Sequence, residues 1–375
     1  MRRVGYVTGT RADFGLMQRT LAEIDRHPDL SLELLVTGMH LSDRYGETRR
    51  DILASGLPIA AEMPVNVDDD GEMASAAGAF AQQVAEWLTA QRPDVLLLLG
   101  DRWEMLAAAL AATLLNIPIA HACGGERSGT VDDAMRHAIS RLAHLHLAAT
   151  EEAAQRLRRS GEETSRVHVV GSPGLVGITE DAAISRSALC DRFALDATRP
   201  LAVVLFHPVV QDAALAGEQA ARLMEAIAAC DLQAICLLPN ADAGNEAIRS
   251  AMLRAARDRP ALATAAHVER TTYLSLLASA DVLVGNSSSG IIEAASFGLP
   301  VVNIGDRQSG RERNPNVRDV EIGTGAIVAA IRAQLAAGRY PIVNLYGDGR
   351  TDARIADLLA KTPVDAALLK KAMTF

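Results

Sequence analysis

The stretch VLLLLGDRWEMLAAALAATLLNIPIAH, Val95–His121, decides the fold class. It opens on an apolar run, Val95–Leu99, of strand length and too short for a buried helix. Gly100-Asp101-Arg102 breaks the run, and an alanine-rich helical pattern follows over Glu104–Leu115. Asn116 and Pro118 stop that helix, and a second apolar run, Ile117–His121, begins at once. Strand, helix and strand in so short a span is the signature of a parallel βαβ crossover. The helix reads as buried in a core, because its apolar stretch is too short to span a bilayer.

The alternation continues on both sides. Strands are expected at Arg3–Val7, Leu32–Val36, Leu145–Ala149 and Val167–Val170, separated by helices at Leu16–Arg26, Met73–Ala90 and Asp133–Leu142. After Gly171-Ser172-Pro173-Gly174 the pattern loosens, and Asp196–Pro200 reads as a linker. A second series then supplies strands at Leu201–Phe206, Ala234–Leu238, Val282–Val284 and Val301–Ile304. Helices near Glu218–Ala229, Ala247–Arg257, Thr272–Ala278, Ile291–Ser296 and Ala326–Ala336 separate them. The 375 residues therefore divide into two α/β domains, the first over 1–195 and the second from 196. In such folds ligands bind at the carboxyl edges of the strands, so a cleft between two sheet edges is expected to hold the chemistry.

Composition narrows the possibilities. Lysine and arginine number 37 against 46 acidic residues, a net charge of −9, and aromatics are few. A nucleic-acid-binding surface needs clustered cations and stacking platforms, so that class is excluded. The 49% hydrophobic content excludes a disordered chain. Cys123, Cys190, Cys230 and Cys236 form no CxxC pair, which fits reduced thiols in the cytoplasm. The apolar run Val4–Val7 behind Met1-Arg2-Arg3 is too short for a signal peptide, and no membrane association is expected.

The unusual residues fall in loops after strands. Thr8-Gly9-Thr10-Arg11-Ala12-Asp13 follows the first strand. Arg11 there either clamps an anion or joins Asp13 in pairing and capping the next helix. Gly100-Asp101-Arg102 offers a carboxylate that is either a helix cap or an acid/base group. His121-Ala122-Cys123-Gly124-Gly125-Glu126 and Asp132-Asp133-Ala134-Met135-Arg136 crowd three carboxylates and an arginine behind one strand. That density favours a site over an ordinary i,i+3 or i,i+4 helix pair. His144-Leu145-His146 has no further ligand at metal spacing, so a core or interface role is expected and no metal. In the second half, His207 tops a strand beside Pro208 and suits a phosphate or a proton shuttle. Asn240 and Asp242 suit a base or ribose. Gly285-Asn286-Ser287-Ser288-Ser289-Gly290 opens a helix whose free N–H groups favour phosphate oxygens, with Glu293 one turn on for a ribose diol. Arg307 and Arg311 follow the next strand. Together these loops read as a nucleotide-diphosphate pocket opposite a set of carboxylates.

In order along the chain, these motifs resemble the hydrolysing sugar-nucleotide 2-epimerases of sialic and legionaminic acid biosynthesis. The resemblance is carried by Val7–Asp13, Val36-Thr37-Gly38-Met39-His40, Leu99–Arg102, Gly124-Gly125-Glu126, Asp132–Ile139, Gly285–Gly290, Gly305–Gln308 with Gly310-Arg311, and Tyr346–Gly349. It implies a GT-B architecture, two Rossmann-like domains with the active site in the cleft between them. It also implies a C-terminal helix, about 352–375, that crosses back to the first domain and ends the second at 351. A cytoplasmic homodimer or homotetramer, a nucleotide-sugar substrate, UDP as product, and no cofactor or metal complete the expectation. The family reaction releases UDP by anti elimination through a glycal, and water addition then inverts C2. Carried over, Asp101, Glu126, Asp132 and His207 are acid/base and sugar-contacting groups oriented by Arg136. Arg11, Arg102, Ser287, Ser288 and Arg307 hold the diphosphate, Asn240, Asp242 and Glu293 surround the nucleoside, and Asp13, His40 and Gly290 line the substrate site. Cys123 departs from the animal sialic acid branch, which carries glutamate there.

UDP-N-acetylglucosamine is the default substrate on this resemblance. Its rival is UDP- or GDP-linked N,N'-diacetylbacillosamine, whose acetamido and methyl groups at C4 and C6 need a roomier, more apolar wall. A GT-B glycosyltransferase and a non-catalytic sugar-nucleotide sensor are the readings from other classes.

Overall fold

The computed structural model, which describes residues 1–42, 48–65, 73–128, 132–239, 244–266 and 268–374, resolves the alternation into two parallel sheets. Each sheet belongs to its own compact unit.

The first unit comprises Met1–Val176 and Tyr346–Phe375. Its strands are β1 (Arg2–Thr8), β2 (Leu30–Thr37), β3 (Ile59–Met63), β4 (Val95–Leu99), β5 (Ile119–Ala122), β6 (Leu145–Ala148) and β7 (Val167–Val169). Their spatial order is β3-β2-β1-β4-β5-β6-β7, with every neighbouring pair parallel. Side chains alternate across the sheet. Val4, Tyr6, Leu97 and Leu99 face Phe14, Met17, Leu21 and Ile24 of the Arg11–Arg26 helix, and Ile355 and Leu359 near the C-terminus. Val7, Leu96 and Leu98 face Phe80, Val84 and Leu88 of one helix and Met105, Ala108 and Ala112 of another. Burial on both faces is why these strands read as unbroken apolar runs.

The second unit, Gly177–Leu345, carries β8 (Leu201–Leu205), β9 (Gln233–Leu237), β10 (Leu262–Ala265), β11 (Val282–Gly285), β12 (Val301–Ile304) and β13 (Val317–Val320). Their order is β10-β9-β8-β11-β12-β13, the Rossmann arrangement. Ala202, Val204, Val284 and Val302 pack against Leu223, Ile227, Ile248, Ile327 and Ile331 from three helices. In each sheet the strand order reverses once. The two switch points lie between β1 and β4, and between β8 and β11.

The structure corrects the sequence reading in several places. It adds the strands β3, β10 and β13; all three are edge strands, paired on one side only, and their apolar signal is diluted by exposed residues in β3 and β13 and by the half-buried Ala263, Thr264 and Ala265 in β10. The Trp103–Leu114 helix is buried along most of its length, but Leu110 and Leu114 stand exposed at 49% and 74%. The Ile291–Ser296 helix is instead a short α-helix, Ser288–Ile292, followed by a 3₁₀ turn over Ala294–Phe297.

The first boundary falls at 176/177 and not at 195/196. Residues after 176 are tied to the second unit: the Ile184 N–H donates to Ser275 Oγ at 3.0 Å, and Arg186 donates to Asp281 at 2.9 Å. The second boundary falls at 345/346, because the Ser172 N–H donates to the Tyr346 carbonyl at 2.6 Å and Thr351 Oγ1 to the Val170 carbonyl at 3.0 Å. The Thr351–Lys361 helix packs against Arg11–Arg26 in the first unit. Among the described residues no helix is long and apolar enough to cross a membrane.

Candidate active site

In the first unit the polar residues gather at the carboxyl ends of β1, β4 and β5. The loop after β1 is shaped by Asp13, which forms a capping box with Thr10. Its buried carboxylate accepts from the Thr8 hydroxyl, from Gly9 N at 3.0 Å, and from Thr10 N at 2.8 Å. Burial pushes the Asp13 pKa up to about 6 against the pull of those donors. Asp13 therefore builds the loop and is not free to contact a substrate.

His40 lies behind this loop, fully buried, with Nε2 3.0 Å from Thr8 Oγ1 and Nδ1 2.8 Å from Thr48 Oγ1. Burial lowers its pKa to about 4, so it is neutral and supports the loop from within. Arg11 has its Nε 3.3 Å from Asp51 and is half exposed. Arg11 and Asp13 do not pair with each other.

After β4, Arg102 turns back along its own helix. Its guanidinium grips Glu104 with Nε at 3.0 Å and Nη2 at 2.7 Å. Glu104 is fully buried and lies under the loops after β1 and β2. A Cβ at Gly9 would come within 2.8 Å of its Oε1, and one at Gly38 within 3.3 Å. Arg102, expected to hold a diphosphate, is thus first of all the partner of a buried carboxylate. The sequence reading did not single out Glu104.

The densest cluster surrounds Arg136. This buried guanidinium is ion-paired with Asp101 and lies 2.9 Å from Asp133. Asp133 also accepts from Ser128 N at 3.0 Å and Ser128 Oγ at 2.9 Å. Burial alone would lower the Arg136 pKa, but the fields of Asp101, Glu126 and Asp133 outweigh it and hold the guanidinium above its ordinary value. The fold therefore brings Asp101, Glu126 and Arg136 together from three segments. Asp132 sits half-buried at the start of the helix, Asp132–Leu142, that carries Arg136.

His121 ties two of these segments together, with Nε2 2.7 Å from the Gly100 carbonyl and Nδ1 3.1 Å from Ser140 Oγ. Burial pushes its pKa down to about 3, so it is neutral. A carbonyl only accepts, which puts the proton on Nε2 and makes Ser140 the donor to Nδ1. Cys123, next in this loop, is half-buried and takes a left-handed backbone at φ 60°.

The histidines His144 and His146 are buried, as a core role requires. His144 Nδ1 accepts from the Ile119 N–H at 3.1 Å, and His146 Nε2 lies 2.9 Å from Glu162. No group of three or more His, Cys, Asp or Glu side chains among the described residues is placed to hold a metal ion.

In the second unit the switch point is knitted by Asn286. Its Oδ1 accepts from His207 N and its Nδ2 donates to the His207 carbonyl, both at 2.8 Å. Its own carbonyl accepts from Arg307 Nη1 at 3.2 Å and Gln308 Nε2 at 3.0 Å. His207, Asn286 and Arg307 are thereby held together at the ends of β8, β11 and β12. Gly285 is required just before, because a Cβ there would collide with the Leu205 carbonyl.

Ser287 caps the Ser288–Ile292 helix. Ser289 is hydrogen-bonded to the hydroxyl of the half-buried Tyr273, and Glu293 Oε1 accepts from Arg270 at 3.2 Å. The open side of Gly290 meets Leu283 and Val301 of the sheet, where a Cβ would lie about 3 Å from both. Tyr273 and Arg270 were missed because they sit on an earlier helix with no motif of their own. Asn240 and Asp242 lie outside the described residues.

Chemically, the first unit offers carboxylates poised around a cation, suited to moving protons. The second offers cations, hydroxyls and N–H groups suited to anionic oxygen.

Residues 22–360 match the UDP-N-acetylglucosamine 2-epimerase family. The chain is 43% identical over 373 residues to the UDP-N,N'-diacetylbacillosamine 2-epimerase (hydrolyzing) of Legionella pneumophila, covering 99% of both chains. It is 33% identical to a UDP-N-acetylglucosamine 2-epimerase of Neisseria meningitidis over 94% of this chain and 92% of that one. Among solved structures, the Neisseria meningitidis UDP-GlcNAc 2-epimerase bound to UDP-GlcNAc matches with a TM-score of 0.80 over 96% of this chain and 100% of that one. At 18% identity in that superposition, the likeness speaks for the fold: two Rossmann-like units of GT-B type.

Proposed function

The chain belongs to the UDP-N-acetylglucosamine 2-epimerase family, and from that premise we propose that it is a hydrolysing 2-epimerase acting on UDP-N,N'-diacetylbacillosamine. The near full-length 43% identity to the Legionella enzyme carries the choice of substrate. UDP-N-acetylglucosamine, the default on sequence, becomes the second reading and keeps the support of the 33% identical Neisseria relative.

In this reading a base takes the C2 proton while the C1–oxygen bond to the diphosphate breaks on the opposite side. The electron pair forms the C1=C2 bond of a glycal, and UDP departs. Water then adds its oxygen to C1, and a proton arrives at C2 on the other face, which inverts that centre. Asp101, Glu126 and Asp132 supply the base and the returning acid. Arg136 orients Asp101 and keeps a positive charge beside the carboxylates. His207, Ser287, Ser288 and Arg307 stabilise the departing diphosphate, with Arg11 and the outer edge of Arg102 assisting. Asn240, Asp242 and Glu293 contact the nucleoside. We also place the enzyme in the cytoplasm as a homodimer or homotetramer, to be measured by light scattering.

NMR of the protein with each UDP-sugar in heavy water tests the reading. We expect UDP release and a C2-deuterated, C2-inverted product, with diacetylbacillosamine preferred over N-acetylglucosamine by at least ~10-fold in kcat/KM. A reversed preference installs the second reading. Absence of UDP release from both sugars overturns the hydrolytic activity.

A further inference from the structure

The first unit contains a cavity of about 300 Å³ that the proposed chemistry does not use. It opens between the Asp132–Leu142 helix and the Glu151–Arg159 helix. Arg141, Arg156 and His137 line it with Ser140 and Ser160, and Leu157 is the one apolar side chain among its described lining residues. No carboxylate and no Phe, Tyr or Trp ring is among them. Guanidinium groups fit oxyanions. The size is at the lower end for small-molecule sites, and the absence of a large stacking face disfavours a nucleobase.

From this lining we propose that the cavity is a regulatory binding site for a small phosphate-bearing anion. Both guanidiniums are able to serve it. Arg141 Nη1 lies 3.1 Å from Glu162, but Glu162 also has Lys371 at 2.7 Å and His146 at 2.9 Å, so it stays paired when Arg141 turns to a ligand. Arg156 lies 2.8 Å from the half-exposed Glu152 and donates to the Gly125 carbonyl.

Two short paths lead from the cavity to the candidate carboxylates. Gly125 immediately precedes Glu126 and has a left-handed backbone, φ +77°, pressed so closely on the Ala153 carbonyl that no Cβ would fit. Ser140 holds His121, which holds the Gly100 carbonyl directly before Asp101. An anion that draws Arg156 from Gly125 therefore bears on the Glu126 loop, and one that moves Ser140 bears on Asp101. Binding that favours one arrangement of these loops shifts the activity by its differential affinity.

The coupling, though not the site, rests on the hydrolytic reading. The test is calorimetric titration of inorganic pyrophosphate into protein saturated with UDP, which keeps the nucleotide loops filled. We expect one saturable site per chain, weakened at least ~10-fold by Arg141→Gln and measurably by His137→Ala. Pyrophosphate is also expected to change the rate of UDP release in the wild type and not in Arg141→Gln. His137 is exposed, so its variant is expected to fold and to keep the test decisive. Heat that does not saturate, or equal affinity in the wild type and both variants, overturns the site. Saturable binding that leaves the rate unmoved overturns the regulation. If the protein neither binds UDP nor releases it, the hydrolytic reading fails, and titration of the unliganded protein against the same variants still decides the cavity.

Discussion

At the scale of single residues, the candidate chemistry turns on Arg136. One buried guanidinium holds Asp101 and Asp133 and feels the charge of Glu126. Asp101→Asn and Glu126→Gln are each expected to lower kcat by ~10²-fold or more while UDP affinity stays intact. Near-full turnover in both would remove these carboxylates from the mechanism. Arg307→Ala is expected to weaken UDP binding, read by calorimetry, and an unchanged affinity would put the diphosphate elsewhere. Glu104→Gln leaves Arg102 without its bidentate partner inside the fold, for an expected loss of about 1–3 kcal/mol in denaturant unfolding together with reduced activity.

Glu104 was invisible in the sequence because residues two apart on a helix do not face each other; Arg102 reaches it only as the extended residue before the first turn. Asp13 gives a pH signature. Its folded pKa of about 6 lies above the unfolded value, so its contribution is full below about pH 4 and is lost as pH rises towards 6. Relative to Asp13→Asn, the wild-type unfolding midpoint is expected to fall across that window.

At the scale of elements, what mattered was how strongly each segment announced itself. Central strands such as β4 are covered on both faces and were legible as apolar runs. Edge strands such as Ile59–Met63 and Val317–Val320 carry exposed charged residues and were not. The turn after β11 was legible as a Gly/Ser string, although the role of Gly290 was not. Its missing side chain makes room for the sheet, as that of Gly285 does for the β8 backbone. Gly285→Ala is expected to destabilise the second unit by several kcal/mol, on the order of 3 or more, seen as a large drop in its unfolding midpoint.

The C-terminal segment acts on the helix that carries Arg136. Lys371 Nζ caps it by donating to the carbonyls of Ser140, Arg141 and Ala143 at 3.1, 2.8 and 2.9 Å, and it is paired with the buried Glu162. Lys371→Ala is expected to cost about 1–3 kcal/mol, with faster amide exchange at the end of that helix.

At the scale of the whole molecule, the first unit is discontinuous in sequence: the chain leaves it at Val176 and returns at Tyr346. Removing residues 346–375 therefore strips Ile355 and Leu359 from the first core and leaves the second core complete. Hydrogen exchange on that truncated chain is expected to show protection lost in β1 and the Arg11–Arg26 helix and retained in β8 and β11. Equal loss in both units would contradict this division. The sequence by itself determined the α/β class, the two series of βα units, and the loops in which polar residues collect. Those follow from local periodicity and from where glycine and proline interrupt it, which are properties of neighbouring residues. The tertiary structure alone decided that Arg102 belongs to Glu104 and that Asp13 and His40 build a loop. These pairings join residues far apart in the chain or turned by the backbone, and only the order of the strands brings their side chains within reach.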